Sequence, residues 1–421
     1  MLVVMEPSAG DEQIEAVSQA ARSAGLDATL FDGTPPQVLL SGTPLYDIEP
    51  KLTGMHGVNH LLHASDTRSP ITSNLRIKGI RPLISPAILM EQLPLTSERA
   101  ALVQQSRRAA SKILSGEDDR LLVVVGPCSI HDAGAALEYA GRLAALAPEL
   151  AHDLLIVLRV YFEKPRTTVG WKGLVNDPHG DGSYAVNEGL RIARGLLLDV
   201  LDLGLPAGCE FLDPITPQFI ADAVTWAAIG ARTTESQVHR NLASGLSMPV
   251  GFKNGTSGDI QIAIDAISAA SWPHHFMSVT EQGQAAIVET RGNRDTHVIL
   301  RGGRSGPNFD ESSVTSVLAL LADAGLPQSL MIDASHGNSS KDYRRQPLVA
   351  HEVASQIAAG QTGITGIMLE SFLVDGRQDL DWSKEMIYGQ SVTDGCMGWE
   401  MLLPVLDELA SSVQARRARS A

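Results

Sequence analysis

Eight short apolar runs recur between residues 121 and 371, and they constrain the fold more than any other feature of the chain. They are "LLVVVG" from 121, "LLIVLRV" from 154, "GCEFLD" from 208, "AAIGAR" from 227, "PVGFKN" from 249, "HVILRGG" from 297, "LMIDAS" from 330 and "GIMLES" from 366. Near-continuous apolar runs of this length suit strands buried on both faces, the condition of a parallel sheet. Helical stretches separate most of them, for example "AGAALEYAGRLAAL" and "VTSVLALLADAG". Eight strands alternating with helices predict an α/β fold closed as a (β/α)8 barrel. An open doubly wound sheet is the weaker reading, because no G-x-G-x-x-G turn follows the first strand. The stretch "FMSVTEQGQAAIVETRGN" breaks the rhythm and reads as a hairpin inserted before the sixth barrel strand.

The first residues follow a different pattern. "LVVM" reads as a strand, "DEQIEAVSQAARSAG" as a helix with an acidic first turn and a glycine stop, and "DATLF" and "QVLLSG" as strands. "LYDIEPKLTGM" reads as a second helix and "VNHLLHA" as a last strand. This βαββαβ order predicts a small ferredoxin-like domain over residues 1–69. Residues 70–120 read as a connector and amino-terminal helices, including an amphipathic helix at 95–114 capped by Thr96 or Ser97. The barrel is expected over 121–412, with a tail at 413–421.

Composition narrows the partners. The chain has 421 residues, and its 44% hydrophobic content contains no apolar run of membrane-spanning length. No basic stretch precedes the short apolar start, so a signal peptide is not expected. Three cysteines in so long a chain are not a disulfide framework and fit a reducing cytoplasm. Thirty-three basic against forty-eight acidic side chains give 33 − 48 = −15, which disfavours nucleic acid and anionic membrane as partners. Anionic substrates would need cations gathered locally.

The strand ends supply such cations. In a barrel of this kind all strand carboxyl ends open on one face, where active sites sit. The runs deliver Cys128; Arg159, followed by Lys164; Glu210; Arg232; Lys253; Arg301; His336; and Glu370, with Asp394 beyond in "SVTDGCMGWE". Cys128, His336, Glu370 and Asp394 each carry a lone pair for a metal, and the mixture suits a borderline divalent ion such as Mn, Fe, Co or Zn. Taken singly, each has a bland explanation: buried filler, turn histidine, solvated charge. Convergence at matching strand ends is what favours a shared site. Arg159, Lys164, Arg166, Arg232, Lys253 and Arg301 form a cationic group suited to phosphate and carboxylate, with Thr167 and Thr168 as neutral donors. A metal beside such a pocket suggests activation of an aldehyde toward a phosphorylated enol.

The motifs "VVVGPCSIHD", "RVYFEKPRTTVGWKGLVNDP", "GARTTESQVHR", "GFKNGTSGD", "HVILRGGRSGPNF", "DASHGNSSK", "GIMLES" and "TDGCMGWE", in this order over residues 76–412, resemble those of 3-deoxy-D-arabino-heptulosonate 7-phosphate (DAHP) synthases of the microbial class. The resemblance implies condensation of phosphoenolpyruvate with erythrose 4-phosphate, with release of phosphate, at the start of the shikimate pathway. It implies metal ligation by Cys128, His336, Glu370 and Asp394. It also implies phosphoenolpyruvate binding at Arg159, Lys164, Arg232, Lys253 and Arg301 with Glu210 nearby, and erythrose 4-phosphate binding at Pro165, Arg166, Thr167 and Thr168. Lys164 is the expected proton donor, its pKa lowered among other cations; Cys128 and His336 complete the expected catalytic set.

The resemblance further implies feedback by an aromatic amino acid and assembly as a homodimer or homotetramer. Two regulatory sites compete. Pro217, Gln218, Ser247 and Phe276 match a barrel-edge inhibitor region. Residues 1–69 instead resemble the ferredoxin-like (ACT-like) regulatory domain of a different class of the same enzyme. Three other readings stand against the synthase. The related octulosonate synthase is disfavoured by "KPRTTVGWKG", a Schiff-base aldolase would use Lys253, and a non-catalytic amino-acid sensor is disfavoured by the intact ligand and cation set.

Overall fold

The computed structural model describes residues 1–31, 35–42, 47–63, 75–166, 170–381 and 384–420. These fall into two units, 1–82 and 83–421.

In the first unit, β1 (Leu2–Met5), α1 (Asp11–Ser23), β2 (Asp27–Phe31), β3 (Gln37–Ser41), α2 (Glu49–Thr53) and β4 (Val58–Leu62) follow one another. The sheet order is β2-β3-β1-β4, antiparallel throughout, which is the ferredoxin-like arrangement. Val17, Ala20 and Ala21 of α1 pack on Val3 and Met5 of β1 and on Val38 and Leu40 of β3, all buried. The second helix is shorter than the eleven residues expected. Pro50 fits only a first helical turn and Gly54 follows Thr53, so one turn forms; residues 43–46 lie outside the described residues.

The second unit opens with α3 (Pro86–Gln92) and α4 (Ser97–Ser115), the latter capped by the Thr96 side chain. Then come β5 (Leu121–Gly126), α5 (Ala133–Leu150), β6 (Leu154–Arg159), α6 (Val186–Asp202), β7 (Ala207–Glu210), α7 (Pro217–Ile220), β8 (Trp226–Ile229), α8 (Gln237–Gly245), β9 (Val250–Lys253) and α9 (Gln261–Ala270). After the antiparallel hairpin β10 (His275–Val279) and β11 (Ala285–Glu289) follow β12 (Thr296–Leu300), α10 (Glu311–Asp323), β13 (Leu330–Asp333), α11 (Gln346–Ala358) and β14 (Ile364–Glu370). Two short strands, β15 (Val374–Arg377) and β16 (Gln390–Ser391), precede α12 (Trp399–Ser420). The segment read as a tail from 413 continues α12, with Val413 fully buried.

Eight parallel strands close the barrel in the order β12-β13-β14-β5-β6-β7-β8-β9, and β9 pairs back onto β12. Side chains alternate along each strand. Leu122 and Val124 point inward to Val157, Trp226, Ile299, Met331 and Met368, while Leu121, Val123 and Val125 join the outer core. Ala110 and Ile113 of α4 belong to the inner cluster, so this helix stoppers the end where the strands begin. No helix among the described residues is long and apolar enough to cross a membrane.

Candidate active site

The first strand ends at a close approach. A Cβ at Gly126 would lie 2.6 Å from the Arg159 carbonyl oxygen, so glycine lets the ends of β5 and β6 pack together. Pro127 follows, and Cys128 turns fully buried toward Lys164, whose Nζ donates to Cys128 Sγ at 2.8 Å and to its carbonyl at 3.2 Å. Asp394 Oδ2 is 3.8 Å from the same sulfur. Cys128, Glu370 and Asp394 each offer one ligand atom, all within 4.8 Å of one another. His336 Nε2 lies 3.8 Å from Glu370 Oε1, which brings the fourth expected ligand to the cluster's edge.

The donor set suits a divalent cation. Glu370 Oε1 is buried without a hydrogen bond; Arg159 Nη2, 3.0 Å away, is also without one. Burial and Glu370 push the Cys128 thiol up, against the pull of Lys164. Burial also raises Asp394, but Lys164, His336, Lys341 and the Cys128 hydrogen bond together hold the carboxyl below its ordinary value. A bound cation would relieve this crowding of one thiol, one imidazole and two carboxyl groups.

Lys164 corrects the sequence reading. Burial does press its pKa down, yet Cys128, Glu370 and Asp394 together outweigh burial and Arg159, so the amine is held above its ordinary value. Nζ lies 2.8 Å from the Cys128 sulfur, and Glu370 and Asp394 add to that pull while Arg159 opposes it. Arg159 lies deeper, fully buried, 3.7 Å above the Tyr161 ring. Burial opposes its charge, and Glu370, Tyr161, Cys128 and Glu210 together more than restore it.

Sequence reasoning missed the groups that hold the candidate ligands in place. Asp333, closing β13 in "MIDASH", is wholly buried and receives Lys253 Nζ at 2.9 Å and His336 Nδ1 at 2.9 Å through Oδ2. Its other oxygen accepts from Ser335 N and Oγ at 3.0 and 2.6 Å. Burial would protonate Asp333, but His336 and Lys253 hold it well below the usual carboxylate range. Gln346 at the start of α11 clips the backbone of Glu370 through both amide atoms, at 2.8 and 2.9 Å. The one available signal was an acidic residue closing an otherwise apolar strand three positions before His336.

Above the cluster lies a cavity of about 330 Å³, lined by Lys164, Pro165, Arg166, Glu210, Arg232, Lys253, Arg301, His336 and Asp394. Lys341 and Arg377 line it too, and neither was anticipated. Cys128, Arg159 and Glu370 sit beneath it, buried. Thr167 and Thr168 lie outside the described residues. Burial lowers the Arg301 pKa, with Asp333 opposing. Pro217, Gln218, Ser247 and Phe276 line a separate and larger cavity of about 970 Å³, between α4, α7, α8 and the β10–β11 hairpin. The smaller cavity holds the greater density of charge.

A model described as the DAHP synthetase I family matches residues 94–406. The chain belongs to the DAHP synthetase I family. It is therefore a DAHP synthase, an enzyme at the first step of the shikimate pathway, as its motifs implied. It is 59% identical over 344 residues to the Phe-sensitive phospho-2-dehydro-3-deoxyheptonate aldolase of Escherichia coli, covering 82% of this chain and 98% of that one. The Tyr-sensitive counterpart from the same organism is 53% identical over 338 residues, 80% of this chain and 95% of that one. The solved phospho-2-dehydro-3-deoxyheptonate aldolase of Francisella tularensis superposes with a TM-score of 0.80 at 51% identity, over 81% of this chain and 99% of that one.

Proposed function

We propose that the charged cavity holds both substrates of the DAHP synthase reaction. Phosphoenolpyruvate lies against Arg159, Arg232, Lys253 and Arg301, and erythrose 4-phosphate against Lys164, Pro165, Arg166, Thr167 and Thr168. The observation that carries this reading is the stack itself: Lys164, Arg166, Arg232, Lys253 and Arg301, which end or follow four barrel strands, face one cavity beside the Cys128, Glu370 and Asp394 cluster. A divalent metal held by Cys128, His336, Glu370 and Asp394 would supply Lewis-acid polarisation of the aldehyde oxygen; Mn, Fe, Co and Zn all suit this donor set.

The protein's own groups do the rest. The arginines and Lys253 bind the phosphate and carboxylate of phosphoenolpyruvate and fix its C3 toward the aldehyde carbon. C3 forms the new bond with its double-bond electrons, leaving cationic character at C2. Water adds at C2 and gives up a proton, with Glu210 on the cavity wall to hold that water. Lys164, held protonated by its acidic neighbours, gives its proton to the aldehyde-derived oxygen. The C2–O bond then breaks and phosphate leaves, so phosphoenolpyruvate, erythrose 4-phosphate and water balance DAHP and phosphate. Lys253 Nζ is committed to Asp333 at 2.9 Å, which disfavours a Schiff base there.

The reading extends to regulation. The E. coli relatives are named Phe-sensitive and Tyr-sensitive, and an aromatic amino acid fits the cavity lined by Pro217, Gln218, Ser247 and Phe276. A cytoplasmic homodimer or homotetramer belongs to the same proposal, and light scattering at micromolar concentration tests the assembly. The reaction is tested by assaying phosphate and heptulosonate together, with each substrate omitted in turn. Equal amounts of both, only when both substrates are present, are expected. Phosphate released without erythrose 4-phosphate would contradict the assignment.

A further inference from the structure

The proposed reaction takes two phosphate esters, and the barrel order sorts the cavity's cations into two groups. Arg232, Lys253 and Arg301 follow or end β8, β9 and β12, which are neighbours in the ring. Lys164 and Arg166 follow β6. Lys341 lies in the loop after β13, and Arg377 ends β15 in the loop after β14. In the ring, β14 and β6 flank β5. Arg377 and Arg166 therefore belong to the loops on either side of the strand that delivers Cys128, and Lys341 comes from the next loop round.

Both residues are placed by backbone. Gly376 and Cys396 exchange N–H···O bonds of 2.9 and 3.1 Å, and Arg377 pairs in register with Ser391, three residues before Asp394. Lys341 N donates to His336 O at 2.7 Å. Ser340 and Lys341 adopt left-handed φ of 56° and 62°, as does His336 at 53°. Such conformations are costly for residues with a Cβ and persist where the surroundings over-determine them. The charge of Lys341 acts on Asp394. Arg377 pairs with Asp379, whose side chain is 88% exposed. A solvent-screened pair of this kind contributes little and yields to a phosphate dianion.

We propose that Lys341 and Arg377, with Arg166, bind the phosphate of the aldehyde substrate and set the preference for a phosphorylated over an unphosphorylated aldose. This inference rests on the function proposed above. The test is kinetic, on Lys341→Ala, Arg377→Ala and Arg377→Lys, with each substrate varied in turn and with erythrose in place of erythrose 4-phosphate. Both side chains are exposed, so the alanine variants spare the core. The KM for erythrose 4-phosphate should rise about tenfold or more in each alanine variant, while that for phosphoenolpyruvate stays within about twofold. The ratio of kcat/KM for erythrose 4-phosphate to that for erythrose should fall by a similar factor, and Arg377→Lys should recover part of it. A raised KM for phosphoenolpyruvate, or equal losses on both aldoses, would overturn the inference. An unsubstituted chain that makes no heptulosonate refutes the function itself; an active chain whose ratio does not move refutes only this assignment.

Discussion

Asp333 does not line the charged cavity, yet Lys253 and His336, which do, both pair with it. One buried carboxylate orients His336 through Nδ1 and fixes Lys253 through the same oxygen. A carboxylate behind a ligating histidine sets its tautomer and ring angle. Asp333→Asn keeps the size and removes the charge, and kcat or metal affinity should fall by about 10–100-fold, read by activity against added metal. An unchanged metal titration and unchanged kcat would show that His336 needs no such partner. Lys164→Arg keeps the charge at Cys128 while removing a readily transferred proton, so turnover should drop with substrate KM values little changed; undiminished turnover would end the proton-donor role. Neither Asp333 nor the sign of the Lys164 shift was legible in the sequence. Both depend on which groups lie within about 3 Å across the barrel mouth, a distance that spacing along the chain does not encode.

At the scale of elements, the eight barrel strands were legible because each is buried on both faces and so reads as an unbroken apolar run. The inserted hairpin was legible too, since its Gly283 turn adopts φ 82° between two short strands. The helix α2 was not, because Pro50 and Gly54 limited it to one turn against its apolar pattern. Lys341 and Arg377 escaped notice because they reach the cavity from loops rather than strand ends. Helix α10 carries a testable cap: Asp310 accepts from Ser313 N at 3.0 Å, and hydrogen bonds from Ser312 and Ser313 draw its pKa down to about 2. A depressed folded-state pKa stabilises above the unfolded value, and that gain is lost as pH falls from about 4 toward 2. Asp310→Ala should cost about 1 kcal/mol at neutral pH by denaturant unfolding. Equal stability of the two proteins at pH 7 would remove the cap from the account.

The whole barrel has a second acid-sensitive point. His297 is buried in the barrel interior, its Nε2 accepts from Trp226 Nε1 at 3.3 Å, and burial pushes its pKa down to about 3. The unfolded chain therefore binds this proton first, so stability is complete above about pH 6.5 and declines as pH falls toward 3. Denaturant midpoints should drop across that window, and less so in His297→Gln; parallel declines would assign the loss elsewhere.

Regulation also belongs to this scale. The 344 matched residues make up 98% of the Phe-sensitive relative, which leaves it no room for an additional unit the size of residues 1–82. Removing residues 1–82 should thus leave inhibition by an aromatic amino acid in place, and its loss would transfer the sensor to the first unit. A metal held by Cys128, His336, Glu370 and Asp394 at the cation-lined cavity would make turnover depend on that metal. The most direct measurement is phosphate release from the two substrates after chelation and again after adding back Mn²⁺, in the native chain and in Cys128→Ser. Chelation should abolish release, and metal should restore it in the native chain but only weakly in Cys128→Ser. Full turnover by the chelated protein would contradict the account.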